Sequence, residues 1–366
     1  MQEPKKAVLT YIFIFLFLLL LLFEGEALTD SLYDALVLCL NSLIPSLFPY
    51  LVLSELVVTS GLGDRLGKAF QKPFGRLFGV SGAGVSAIVL GAVCGFPVGA
   101  RCAVMLYDKG VLSKKETERL LCFCNNTGAG FLVAGVGASF FGNANFGLVL
   151  YAVQIISALI IGMGLSKLFK LKCGVGTATP KAPALGASLF TNAIGSASKN
   201  MLFVCGYIVF FSSLTGGLSG VISRITDSPL PRVLISGILE ISSGCHSAAE
   251  LFGSGAPFLL CAALAAFFVG WSGLSVHAQT AAICKDLDIS LSPYIASKLF
   301  QGLICAALAV VYYKVFPESS VSAFAPIEHQ VPQLAKIFGS AVNLLFIFAL
   351  LKKLIKNCSK MKKFVI

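Results

Sequence analysis

Residues 81–107 read SGAGVSAIVLGAVCGFPVGARCAVMLY, and the fold turns on how they are read. The run is apolar and, at about 20 residues or more, long enough to cross a bilayer. Yet Cys94-Gly95-Phe96-Pro97-Val98-Gly99 stands at its centre. Proline has no backbone N–H and its ring clashes one turn back, and glycine weakens a helix further. The run predicts two half-helices meeting at a turn, a re-entrant hairpin that enters and leaves on one side. Residues 230–256 follow the same plan around Glu240-Ile241-Ser242-Ser243-Gly244-Cys245-His246. Two further apolar segments are interrupted: 120–140 by Asn125-Asn126-Thr127-Gly128-Ala129-Gly130, and 257–284 by Gly270-Trp271-Ser272-Gly273-Leu274-Ser275. These predict spanning helices unwound in the middle. Irregular backbone at that depth needs protein or a wet cavity to satisfy it.

Working outward, uninterrupted apolar runs fall at about 7–23, 32–60, 144–168, 184–217, 290–316 and 335–355. Of 366 residues, 57% are hydrophobic and 12% charged, which excludes a soluble globular enzyme, a disordered tail and a secreted disulfide scaffold. The 12 cysteines lie mostly inside apolar runs without any C-x-x-C pair, so they read as small packing residues rather than metal or disulfide partners. Lys5 and Lys6 precede a run longer than a signal-peptide core, which predicts a retained helix.

The net charge of +11 is carried between the apolar runs, the pattern of cytoplasmic loops and not of a nucleic-acid surface. With the N-terminus cytoplasmic and the hairpins non-crossing, 21 of the 28 basic residues fall on inner loops. Four (Arg224, Arg232, Lys314 and Lys336) fall on outer loops, while Arg101, Lys199 and Lys298 lie in apolar segments. Residues 63–80 read as an interfacial amphipathic connector. Leu47-Phe48-Pro49…Thr59-Ser60-Gly61-Leu62 echoes Leu202-Phe203-Val204…Thr215-Gly216-Gly217-Leu218. Each is followed by a hairpin, a broken helix and an unbroken helix. The expected fold is an all-α polytopic membrane protein. A transmembrane helix lies in 1–30, a first repeat in 31–170, a second, inverted repeat in 184–316, and a helix with a basic tail in 317–366. Inverted repeats with discontinuous helices at their interface mark secondary transporters.

Half-helix ends expose unpaired N–H and C=O groups. The candidate substrate-binding residues are Gly95, Phe96, Pro97, Val98, Gly99, Arg101, Asn125, Asn126 and Thr127 from the first repeat. The second supplies Ser242, Ser243, Gly244, His246, Trp271, Ser272, Ser275 and His277. Asn and Ser provide neutral donors and acceptors, Trp271 a face for a flat ring, and the histidines proton carriers or ligands. Arg101 either neutralises an anion or pairs with Glu240 or Glu250. Glu55 lies near the inner interface, and Lys199 and Lys298 read as snorkelling side chains. There is no G-x-x-x-x-G-K-S/T, H-E-x-x-H or G-x-S-x-G motif, so no enzyme activity is expected. Gly91-x-x-x-Gly95-x-x-x-Gly99 reads as a packing face.

The segments Leu40-Asn41-Ser42-Leu43-Ile44-Pro45-Ser46-Leu47-Phe48-Pro49, Gly95-Phe96-Pro97-Val98-Gly99-Ala100-Arg101, Cys124-Asn125-Asn126 and Gly270-Trp271-Ser272-Gly273-Leu274-Ser275-Val276-His277-x-Gln279 resemble sporulation integral membrane proteins. These belong to the nucleoside-recognition "gate" superfamily, which includes concentrative nucleoside transporters. The resemblance implies a repeat of scaffold helix, hairpin, broken helix and helix. It implies substrate binding at Cys94–Gly99, Asn125–Thr127, Glu240–His246 and Trp271–Ser275, a sodium site beside the first hairpin, and a homo-oligomer. The ribose-binding acid of the first hairpin is replaced by Gly99-Ala100-Arg101, and a basic residue there suits an aromatic dianion. The implied cargo is dipicolinate, moved across the outer forespore membrane. No cofactor is expected; a coupling Na+ or H+ remains open. So do a nucleoside or other small metabolite as cargo, and a non-transporting scaffold for spore assembly.

Overall fold

A computed structural model describes residues 3–60, 74–75, 77–168 and 187–316. The expected helix at 335–355 lies outside these residues, as does most of the 63–80 connector. Everything described is helix or connection, with no strand among the described residues.

Helix α1 (Glu3–Phe23) carries apolar side chains facing outward, Tyr11, Phe15 and Leu22 among them. The chain bends by 96° at Glu24 into α2 (Gly25–Leu38). The first scaffold helix therefore begins at Gly25, inside the stretch assigned to the N-terminal helix. Glu24 is buried at the bend and pairs with Arg224 at 2.8 Å. α2 runs through a wide turn, Cys39–Leu43, into α3 (Ile44–Thr59). There the N–H of Ile44 reaches back five residues to Cys39. The widening directly precedes Pro45, whose ring would clash with a tight helix.

The first hairpin is α4 (Gly82–Cys94) and α5 (Val98–Asp108), joined through Gly95-Phe96-Pro97 with a cis Phe96–Pro97 bond. The Ser81 hydroxyl caps α4 on Gly84 N at 3.3 Å. α6 (Lys114–Cys124) follows, then an unwound stretch at 125–128, then α7 (Phe131–Phe140), wound wider than an α-helix. α8 (Ala144–Leu168) is unbroken. The same order recurs: α9 (Ala187–Ser223), a hairpin of α10 (Leu230–Leu239) and α11 (Ile241–Gly253), then α12 (Phe258–Trp271), α13 (Gly273–Ile283) and α14 (Ser292–Val315).

By length and hydropathy, 144–168, 188–223, 258–283 and 292–315 can each cross a membrane, and the α1–α2 pair meets the same standard only when its two helices, bent by 96°, are taken together. The 120–140 segment falls short of that standard, because the unwound stretch at 125–128 leaves α6 and α7 only 11 and 10 residues long. The break in 257–284 is also smaller than expected. Only Ser272 separates α12 from α13, it and Gly273 lie in the left-handed region at φ 73° and 74°, and 258–283 is still long and apolar enough to cross as one span.

Glycines bring each hairpin onto a break. A Cβ at Gly91 or Gly99 would overlap the Cys124 carbonyl, and one at Gly95, where φ is +81°, the backbone of Gly128. In the second half, Gly273 at φ +74° sits against Leu239, Glu240 and Ile241. The loops at the two ends also meet. Lys114 pairs with Asp288 at 2.7 Å, and Glu118 accepts from Ser290 N at 2.7 Å. Phe140 packs on His246, and Phe146 and Phe252 pack on Phe258. Asp288 holds the exposed Lys114 ammonium above its ordinary pKa. An exposed pair of this kind is worth little, so Lys114→Ala is expected to leave the thermal midpoint within measurement scatter.

Candidate functional site

The tips of both hairpins and both breaks surround one cavity with about 380 Å³ of empty space, too narrow in this state for more than about one water. Its walls are mostly apolar, lined by Phe96 and Phe131, by Val204 and Ile208 of α9, and by Leu43 and Leu47 of the α2–α3 helix. Polar groups enter from the irregular backbone. They are Thr127 from the first break, Glu240 and Ser242 from the second hairpin, and Ser275 and Gln279 one turn apart on α13.

Four of these five residues have buried polar atoms without a hydrogen-bond partner: Thr127 Oγ1, Glu240 Oε1, Ser275 Oγ and both ends of the Gln279 amide. A buried polar atom left unpaired costs about 1–3 kcal/mol, and native interiors hold few of them. Their gathering around one space marks it as the candidate site. Glu240 is fully buried. Its Oε2 accepts from Ser243 N at 2.7 Å and so caps α11, leaving Oε1 to the cavity. The other titratable groups near it are the thiols of Cys39 and Cys245.

Of the expected residues, Phe96, Thr127, Ser242 and Ser275 line this cavity. Gly95, Val98 and Gly99 instead form the tip and packing face of the first hairpin. Asn125 and Asn126 turn away into a buried network. Asn125 Nδ2 donates to Thr280 at 3.1 Å and Tyr294 at 3.3 Å, and Asn126 Oδ1 accepts from Gln301 at 2.9 Å. Ser243 shares a hydrogen bond with Ser212 at 3.1 Å. Gly244 lies against Gly237 and Phe268. His246 is exposed, 3.7 Å from Glu250 and six residues along from Glu240, which puts it about 9 Å from the tip. Trp271 donates Nε1 to Ile238 O at 3.0 Å and meets His277 edge-on at 4.3 Å. His277, between Trp271 and Tyr294, has no hydrogen bond to either ring nitrogen. Ser272 forms the helix break itself, its hydroxyl on Val269 O at 3.4 Å.

Two expectations for charged groups are corrected. Arg101 pairs with neither Glu240 nor Glu250 but with Glu55 at 2.9 Å, and its other arm donates to Asn200. Ser196 of α9 also donates to Glu55, at 2.8 Å. The cluster ties the first hairpin to α3 and α9 and keeps Glu55 buried. Lys199 is exposed as expected, but Lys298 does not snorkel and is fully buried. Arg101, Pro97, Asn200 and Tyr207 line a second, more open cleft of about 520 Å³. It shares Val204 and Gln279 with the inner cavity, so the two spaces adjoin. Arg101→Ala would strand Glu55 and is expected to cost about 2 kcal/mol. Thermal unfolding checks this, and adding Glu55→Gln should restore part of the loss.

Glu240 was expected at the site only through the resemblance, and Gln279 is the site residue that the sequence reading passed over. Gln279 could have been found from its i, i+4 spacing to Ser275, which puts both on one helix face.

These features define a multi-pass helical membrane protein with an apolar cavity into which a few polar side chains project. The chain is 28% identical over 306 residues, covering 74% of each protein, to the sporulation integral membrane protein YlbJ of Bacillus subtilis (strain 168). No family model matches the chain, and no solved structure matches it.

Proposed function

We propose that the protein is a secondary transporter acting in sporulation, which closes its cavity around a small polar cargo and releases it by alternating access. One observation carries this reading: the unpaired buried atoms of Thr127, Glu240, Ser275 and Gln279 face a single space. A scaffold for spore assembly has no use for them. The arrangement of the two halves supports it as well. The open end of the first hairpin leads into α6, whose start meets the loop after α13. The second hairpin, through His246 midway along α11 and Phe252 near its open end, meets α7 and the start of α12. In this reading those ends lie on opposite faces of the membrane, as inverted repeats would place them.

Dipicolinate, crossing the outer forespore membrane, is the proposed cargo, with the N-terminus in the cytoplasm. Phe96 and Phe131, the aromatic residues of the cavity wall, offer faces on which its ring could stack once the cavity opens. The hydroxyls of Thr127, Ser242 and Ser275 and the Gln279 amide can donate to its carboxylates. Arg101 in the adjoining cleft meets the anion first. Glu240 sets a condition: a dianion is accepted only when Glu240 carries its proton and donates. A nucleoside is the second reading, favoured by the same residue, since sugar hydroxyls donate to an ionised carboxylate. Uptake into proteoliposomes separates them. Dipicolinate uptake should fall as pH rises, whereas uptake of a nucleoside should hold or rise. Thr127→Val and Gln279→Leu should each lower uptake about tenfold. Unchanged flux in both variants overturns the site.

A further inference from the structure

Lys298 stands inside the bundle with its ammonium fully buried and no carboxylate within ion-pairing distance among the described residues. Its Nζ donates to the carbonyl of Asn125 and, at 2.8 Å, to Gln301 Oε1. That carbonyl is the first beyond the last residue of α6. The neighbouring carbonyls are met by side chains too: Cys122 O by Ser297 at 3.0 Å and Phe123 O by Asn126 at 2.8 Å. A helix C-terminus carries a partial negative charge and unpaired carbonyls. At membrane depth those carbonyls need partners, and a cation suits them best. Ser and Asn side chains give dipoles; Lys298 gives a full charge. The other titratable groups close to it are the thiols of Cys122, Cys124 and Cys305 and the ring of His277.

We infer that Lys298 is a tethered cation that occupies the carbonyl end of α6 in place of a free alkali ion. Because the carbonyl it holds lies two residues before Thr127, the charge is fixed beside the cavity through the whole cycle. On the carrier reading above, on which this consequence rests, cargo binding then needs no sodium at that end of α6. A neutral side chain at 298 would leave a negative carbonyl pocket open to a small cation.

Thermal unfolding of the purified full-length protein in N-methylglucamine chloride, and in NaCl, LiCl or KCl at equal ionic strength, tests this. The wild type should unfold at the same temperature in all four salts. Lys298→Ala should lose several degrees in N-methylglucamine and regain at least half of the loss in Na+ or Li+. Lys298→Gln, which keeps a donor without the charge, serves the same comparison if the alanine variant does not fold. Stabilisation of the wild type by one alkali ion would overturn the inference. So would variants that lose stability without any alkali response, or that lose none. The wild-type arm alone decides if neither variant folds. No cargo enters the measurement, so failure to find flux would sink the carrier reading and leave this result intact.

Discussion

Replacing Glu240 with alanine is expected to reduce cargo uptake roughly tenfold to a hundredfold, the equivalent of about 1–3 kcal/mol for a lost buried hydrogen-bonding group. The carboxyl serves two roles, with one oxygen capping α11 through Ser243 and the other facing the cavity. Alanine removes both, and loss of the cap alone costs about 1 kcal/mol. Glutamine isolates the charge. If dipicolinate is carried with Glu240 protonated, Glu240→Gln keeps most of the uptake and flattens its fall with rising pH. If the cargo needs an ionised carboxylate, Glu240→Gln loses uptake as alanine does. Uptake against pH in the two variants and the wild type reads all of this in one series.

Gly91→Val is expected to be among the most destabilising single changes in the chain. A Cβ at that position would overlap the Cys124 carbonyl, which is backbone and cannot swing aside as a side chain could. The first hairpin would have to lift from the break at 125–128. That would disturb both Gly95 on Gly128 and the placement of Thr127 at the cavity. Overpacking of this kind costs about 1–3 kcal/mol or more, so the thermal midpoint should fall by roughly 5 °C or more. Gly110→Ala is the matched control for crowding: it has open space around it, although its φ of +69° brings a local strain of its own. A midpoint for Gly91→Val equal to that of the wild type would contradict this account of how the tip meets the break.

Much of the architecture was legible because its signals are local. Gly95 and Pro97 in an apolar run break a helix wherever they occur, and the order of long helix, hairpin, broken helix and helix could be read twice. The small break at Ser272 was overestimated, because two glycines beside a serine look the same in sequence whether one residue or six leave the helix. The site was legible only in outline. Asn125 and Asn126 announced themselves as amides that need partners. Which way they turned depended on Thr280, Tyr294 and Gln301, some 155 or more residues away. Lys298 resembled any snorkelling lysine, since nothing in its neighbours shows that Asn125 O lies within reach. Arg101 and Glu55 lie 46 residues apart and showed no pairing signal until α3 and α5 were placed side by side. Side chains whose role is set by helix packing are the ones that sequence periodicity leaves open.

The central claim is that the cavity between the two hairpin tips and the two breaks receives the cargo. A structure determined with saturating dipicolinate tests it most directly. The account predicts ligand density against Phe96 and Phe131, with polar atoms in hydrogen-bonding reach of Thr127, Glu240, Ser275 and Gln279. Those same four groups left unliganded, with the ligand absent or bound only at the surface, would contradict it.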